Sequence, residues 1–113
     1  MNNREFGSKG EDLACEYLTK NGYTIVERNK HFSKFCEIDI IAKIKSKYVF
    51  VEVKTRKTDG FGSPLEAITK TKYNNIKTGV LSYLQENNIR DYRIDVIGIV
   101  LEPEIKITHL QNI

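Results

Sequence analysis

Two apolar segments, residues 37–43 (EIDIIAK) and 48–55 (YVFVEVKT), are joined by only Ile44-Lys45-Ser46-Lys47 and limit the fold more than any other feature. Both are rich in Ile, Val and aromatic residues, and the polar connection is short, so they are expected to form a β-hairpin. Side chains alternate across a strand, which sets Glu52 and Lys54 on one face with Tyr48 and Phe50, opposite Val49, Val51 and Val53. On the partner strand Glu37, Asp39 and Ile41 share one face, and Ile38, Ile40 and Ala42 the other. A two-residue turn at Lys45-Ser46 would place Asp39 opposite Glu52, and Glu37 opposite Lys54. A register shifted by two residues makes the carboxylates diagonal neighbours on the same face.

Carboxylates so placed repel each other and weaken the hairpin unless a positive charge lies between them. Mg²⁺, with Mn²⁺ as a substitute, suits such a pair because it takes one or two carboxylates and completes its shell with water and phosphate oxygens. Asp39 and Glu52 are therefore the expected metal ligands, and Glu37 is a secondary candidate. Lys54, one step along the same face, would hold an attacking water or stabilise charge developing on phosphorus. The alternative is an edge hairpin with solvated charges and a Glu37–Lys54 cross-strand ion pair. That alternative does not explain why charges interrupt such apolar strands near their middles.

The rest of the chain supplies helices for this hairpin to pack against. A helix is expected over residues 3–21, closed by Gly22 in a left-handed cap, with Leu13, Ala14, Tyr17 and Leu18 as its apolar stripe. Residues 23–28 read as a short strand, and residues 56–63 (RKTDGFGS) as a loop. Ser63 is expected to cap a second helix, with Pro64 at its first position and Glu66 three residues after the cap. Leu65, Ile68, Ile76, Val80, Tyr83 and Leu84 would form its buried stripe, ending near Asn87-Asn88. Strands over residues 92–101 and 104–109 follow, turned around Glu102-Pro103. The order α-β-β-β-α-β-β implies an α/β fold with one mixed central sheet flanked by helices. The length of 113 residues suits a single domain spanning 1–113.

Several polar residues point toward the hairpin. Glu11 stands at helical spacing from Ala14, Cys15 and Leu18, where a carboxylate is costly unless paired or bound to a cation. It is either a further metal ligand or a first-turn acid favoured by the helix dipole. Gly7 and Gly10 weaken that helix and imply fraying, or a close approach to another element or to phosphate. Lys72 lies within the apolar stripe of the second helix, four residues from both Ile68 and Ile76. It either reaches the pocket to bind phosphate or extends its ammonium to solvent. Asp95 falls mid-strand in Tyr92-Arg-Ile-Asp-Val-Ile and is expected to orient a basic residue. His31 and His109 have no sequence neighbours that nominate them as catalytic.

Composition narrows the class without naming a function. With 40% hydrophobic and 29% charged residues, this is an ordinary globular chain. The first residues carry no apolar stretch typical of a signal peptide, and no apolar run approaches the ~20 residues that span a bilayer, so a cytoplasmic location is expected. Cys15 and Cys36 lack any CxxC or Cys/His spacing and read as reduced thiols. A net charge of +3, with bunched lysines around residues 43–47, 54–57 and 70–77, is compatible with a phosphate-binding surface or with solvated turns.

Taken together, Gly7-x-x-Gly10-Glu11, Ala14, Tyr17-Leu18, Gly22-Tyr23, Arg28-Asn29, Glu37-Ile-Asp39-x-Ile41-Ala42, Phe50-Val-Glu52-Val-Lys54-x-Arg56, Phe61-Gly62 and Arg93-x-Asp95-Val96 resemble the YraN family of bacterial proteins (UPF0102) over nearly the whole chain. The resemblance implies a restriction-endonuclease-like fold, in which an Asp precedes Glu-x-Lys on a central hairpin. Archaeal Holliday-junction resolvases are similar in layout. By that resemblance Glu11, Asp39, Glu52 and Lys54 match the metal ligands and catalytic lysine of active nucleases. The family usually has Gly where this chain has Cys36. The expected function is a Mg²⁺-dependent endonuclease or structure-specific resolvase acting on DNA, including branched or flapped DNA. Arg56, Lys57 and Lys72 would contact phosphates, and a homodimer would supply the two sites that junction cutting requires. The alternative is a non-catalytic nucleic-acid-binding or recombination accessory protein that retains the fold.

Overall fold

The hairpin forms, and it lies inside a five-stranded sheet rather than at an edge. The computed structural model describes residues 3–34, 36–60 and 62–113, except the side chains of Asn3 and Arg4. The elements run α1 (Asn3–Lys20), β1 (Thr24–Ser33), β2 (Cys36–Ile44), β3 (Lys47–Arg56), a 3-10 turn (Pro64–Ala67), α2 (Lys70–Glu86), β4 (Tyr92–Val100) and β5 (Lys106–Leu110). Strand order in space is the order in the chain. All neighbours are antiparallel except β3 and β4, which are parallel and linked through α2, as a parallel pair needs a long crossover. The sheet is therefore mixed, and the order of helices and strands is the one expected.

Each face of the sheet carries one helix. On one side Ala14 and Leu18 of α1 bury against Ile40, Ala42, Val49, Val51, Ile97 and Ile99, with Leu13 and Tyr17 packed around them. On the other, Ile76, Val80, Tyr83 and Leu84 of α2 bury against Cys36, Ile38, Ile41, Phe50 and Ile94. Each fully buried aliphatic or aromatic side chain contributes about 1.5–3 kcal/mol. The two layers are thus the main force fixing both helices over the hairpin. Gly22 closes α1 at φ +91°, as its lack of a β-carbon allows.

Gly10 accounts for the close approach inferred from the glycines of α1. A β-carbon there would stand 1.7 Å from Thr55 Oγ1, so the glycine lets α1 settle directly on β3. Gly7 faces no such neighbour.

Three expectations need correction. The second helix does not start at Pro64. Ser63 caps a short 3-10 turn, the chain extends at Ile68, and Thr69 then caps α2 proper by accepting the Lys72 amide hydrogen. Two cap residues six apart each claim a helix start, and the β-branched Ile68-Thr69 pair favours the extended break between them. As a result Leu65 is exposed and lies outside the buried stripe. The first strand continues to Ser33 rather than ending at Arg28, because it pairs along β2 with shifts of register between Ile25 and Glu27 and between His31 and Ser33. Phe61, part of the family pattern, lies outside the described residues. Among the described residues no helix is long and apolar enough to cross a membrane.

Candidate active site

The site arises where the hairpin opens. From Ile44–Lys47 the β2–β3 ladder runs to Ile40–Val51, with Lys45 at φ +54° in the two-residue turn. One position further, Asp39 Oδ2 accepts the Val53 amide hydrogen at 2.8 Å, so a side chain takes over where the ladder ends. Strict alternation also ends here: Cys36 and Ile38 pack on the α2 side, whereas Ile40 and Ala42 pack on the α1 side. Ile38, Ile40 and Ala42 therefore do not share a face. The fork at Asp39 breaks the alternation on which that expectation depended.

At the fork, carboxylates converge. Burial and the neighbouring Glu52 push the Asp39 carboxyl up to about 8, against the opposing bond from Val53, with Glu11 and Glu37 adding to the rise. Glu52 is itself buried at 8% exposure and pairs with Lys72 Nζ at 2.7 Å. Burial raises Glu11 as well, against a hydrogen bond from Asn29 and the charge of Arg28. Arg28 lies 2.8 Å from Asp12 and 3.8 Å from Glu11, bracing α1 against β1. Glu37 pairs with His31 at 3.7 Å and forms no bridge to Lys54.

A cavity of about 320 Å³ is lined by Glu37, Asp39, Glu52 and Lys72, and rimmed by His31, Lys34 and Asn75. Lys54 is separate from it. With Arg56, Ser63 and Pro64 it lines a second cavity of about 270 Å³ further along β3. Arg56 Nη1 donates to Gly62 O at 2.6 Å, and Lys57 is exposed at the end of the same strand. The structure thus brings Glu11, Glu37, Asp39, Glu52 and Lys72 together, and sets Lys54, Arg56 and Lys57 along an adjoining stretch.

Among the described residues, no three His, Cys, Asp or Glu side chains are gathered as a metal-binding group. The central donor set is two carboxylates. Hard oxygen donors with excess negative charge suit Mg²⁺, whose remaining positions are taken by water and phosphate oxygens.

Asp95 belongs to a different network. It is fully buried, and it accepts from Arg93 Nε at 3.0 and 3.1 Å and from the Asn112 amide at 3.0 Å, with His109 Nε2 2.6 Å away. Burial alone would raise its carboxyl, but the bonds from His109, Asn112 and Arg93 outweigh this and hold it below the usual range. His109 also meets Tyr17 at 3.0 Å, and Arg93 bonds the Tyr23 hydroxyl. Asp95 therefore orients basic residues beneath α1, away from the fork.

Sequence reasoning missed Arg28 and Asn29 as the holders of Glu11, and His109 as a partner of Asp95. The last is 14 residues from Asp95 in the chain and gave no local signal. Asn29 left a faint one, its place in the Arg28-Asn29 pair of the family pattern, and it is a residue type that tolerates the left-handed φ of +53° it adopts.

A model described as "Uncharacterised protein family UPF0102" matches residues 10–99. A UPF0102 protein of Syntrophomonas wolfei is 42% identical over 97% of both chains. One from Dictyoglomus turgidum is 42% identical over 92% of this chain and 89% of its own, and one from Clostridium botulinum is 45% identical over 88% and 82%. Among solved structures, Pyrococcus furiosus SfsA in complex with Ca²⁺ aligns at 15% identity and a TM-score of 0.40, covering 97% of this chain and 64% of SfsA. With residues 10–99 inside the matched pattern and more than nine-tenths of its length aligned to the Syntrophomonas and Dictyoglomus proteins, the chain belongs to the UPF0102 family.

Proposed function

We propose that this protein is a Mg²⁺-dependent phosphodiesterase of restriction-endonuclease-like architecture, an endonuclease or structure-specific resolvase that cuts DNA. The observation that carries the reading is Asp39, a half-buried carboxylate beside the buried Glu52 at the point where β2 and β3 part. Sequestering two like charges destabilises a fold unless a ligand compensates them, so such pairs gather at functional sites. In this reading Asp39 and Glu52 would hold the metal, with Glu11 assisting directly or through a water molecule. When bound, Mg²⁺ would supply Lewis acidity toward phosphate and a more acidic water.

The chain's own groups supply orientation. Asp39 keeps one oxygen on Val53, so its other oxygen has a fixed direction. Lys54 stands two residues from Glu52 on the same strand and lines the adjoining cavity, so it would position the attacking water or meet the developing charge on a substrate that spans both cavities. Arg56, Lys57 and Lys72 contact phosphates, and a homodimer would supply two sites for a junction. Asp95 stays outside the reaction.

The test is cleavage of linear, flapped and four-way DNA in Mg²⁺ or Mn²⁺ by the wild type, Asp39→Asn and Glu52→Gln. Cleavage by the wild type and its loss in both variants is expected. No cleavage, with salt-dependent DNA binding that persists in chelator and in Glu52→Gln, would replace this reading with a non-catalytic nucleic-acid-binding role.

A further inference from the structure

Lys72 occupies the first turn of α2, where Thr69 Oγ1 accepts its amide hydrogen at 3.0 Å and fixes its backbone. That turn carries Lys70 and Lys72 and no acidic residue. Ammonium groups at the positive end of a helix dipole are unfavourable unless an anion faces them. The anion facing Lys72 is Glu52, at 2.7 Å. The two ends of this pair differ in freedom. The Glu52 side chain is 10% exposed and set in the sheet, whereas that of Lys72 is 44% exposed and reaches the cavity on a flexible stem. If one partner moves, it is Lys72.

We propose that Lys72 is a movable counter-cation. Its ammonium pairs with Glu52 in the unliganded protein and transfers to a substrate phosphate when a divalent cation takes the carboxylate. This rests on the reading of Asp39 and Glu52 as the metal-binding pair, and goes beyond it by making metal and nucleic acid each strengthen the binding of the other. An ammonium and a divalent cation compete for one carboxylate, and a phosphate beside that carboxylate gives the displaced ammonium a new anion. Linkage makes the effect reciprocal. Lys54 has no such role, because it lines the neighbouring cavity and forms no ion pair among the described residues.

The test measures Mn²⁺ affinity by calorimetry without DNA, for the wild type, Lys72→Gln and Lys72→Met. The methionine variant keeps the apolar stem, and thermal unfolding confirms that each is folded. Both variants are expected to bind Mn²⁺ about threefold more tightly, the scale of a lost, partly exposed ion pair. Fluorescence anisotropy of a labelled DNA duplex, in chelator and in Ca²⁺ at matched ionic strength, is expected to show Ca²⁺-dependent tightening that is larger in the wild type than in either variant, and equal tightening in all three overturns the role of Lys72. Equal or weaker Mn²⁺ binding by the variants overturns the role of Lys72 and leaves the metal pair standing. Absence of Mn²⁺ binding in all three proteins removes the metal pair, and the coupling with it.

Discussion

Replacing Gly10 by alanine tests whether the seating of α1 on β3 sets the position of Glu11. The added β-carbon would lie 1.7 Å from Thr55 Oγ1, 2.8 Å from its Cβ and 2.9 Å from its Cγ2. Rotating the threonine moves Oγ1 and Cγ2 but leaves Cβ in place, so α1 must lift from the sheet. Overpacking of this kind costs roughly 1–3 kcal/mol. Alanine returns about 1 kcal/mol through its better helix propensity. The net loss is then about 0–2 kcal/mol, and a chain of this size changes its melting temperature by roughly 4 °C per kcal/mol. Gly7→Ala is the matched control. Nothing lies within 4 Å of its added carbon, so it should be neutral or stabilising by up to ~1 kcal/mol. Urea and thermal unfolding of both variants, with Thr55→Ala added to Gly10→Ala for partial rescue, give the answer. Because Glu11 follows Gly10 directly, the lift also draws its carboxylate from Asp39 and should weaken Mn²⁺ binding. A Gly10→Ala protein that melts above the wild type, as the uncrowded Gly7→Ala is free to do, would refute the reasoning.

Other outcomes follow from the carboxylates Asp39 and Asp95 and from the basic strand end. The folded protein binds the Asp39 proton more tightly than the unfolded chain does, since burial and Glu52 raise it from 3.8 to about 8. Its contribution is therefore full below the ordinary carboxylate value and lost as pH rises toward 8, so urea stability in chelator should fall across that window. Asp39→Asn should flatten this slope, and an unchanged slope would exclude Asp39 as its source. Asp95→Asn leaves the Arg93 charge short of its partner beneath α1, and should lower the unfolding free energy by about 3–5 kcal/mol while leaving Mn²⁺ affinity intact. Lys57→Ala should reduce the salt slope of DNA binding by about one unit if that side chain meets a phosphate, and leave it unchanged if it does not.

The hairpin and both helix stripes were legible because their information is local: the Val/Ile run with its turn, and the 3.6-residue spacing of Ala14 with Leu18 and of Ile76 with Val80. The convergence of Asp39 and Glu52 was legible for the same reason, since a two-residue turn fixes the register. What escaped was set by tertiary geometry. The fork at Asp39 depends on a side chain replacing a ladder bond, and nothing in Glu-Ile-Asp-Ile announces it. Lys54 looked equivalent to Glu52 by parity, yet it is exposed and lines a separate cavity beside the 3-10 turn at Pro64. His109 reaches Asp95 only because β5 pairs antiparallel to β4, with His109 beside Ile97. The divided start of α2 was missed because two valid caps compete and only packing chooses between them.

The bond from Val53 to Asp39 makes one amide a reporter for the whole site. Its proton is held by a carboxylate oxygen rather than by a neighbouring strand's carbonyl, so its strength follows the charge on that carboxylate. Whatever protonates Asp39, neutralises it or draws it aside must change the chemical shift and exchange rate of this single amide. Amides inside the Ile40–Val51 ladder keep their backbone partners and serve as an internal reference. Occupancy at the fork can therefore be followed from the backbone before any substrate is known.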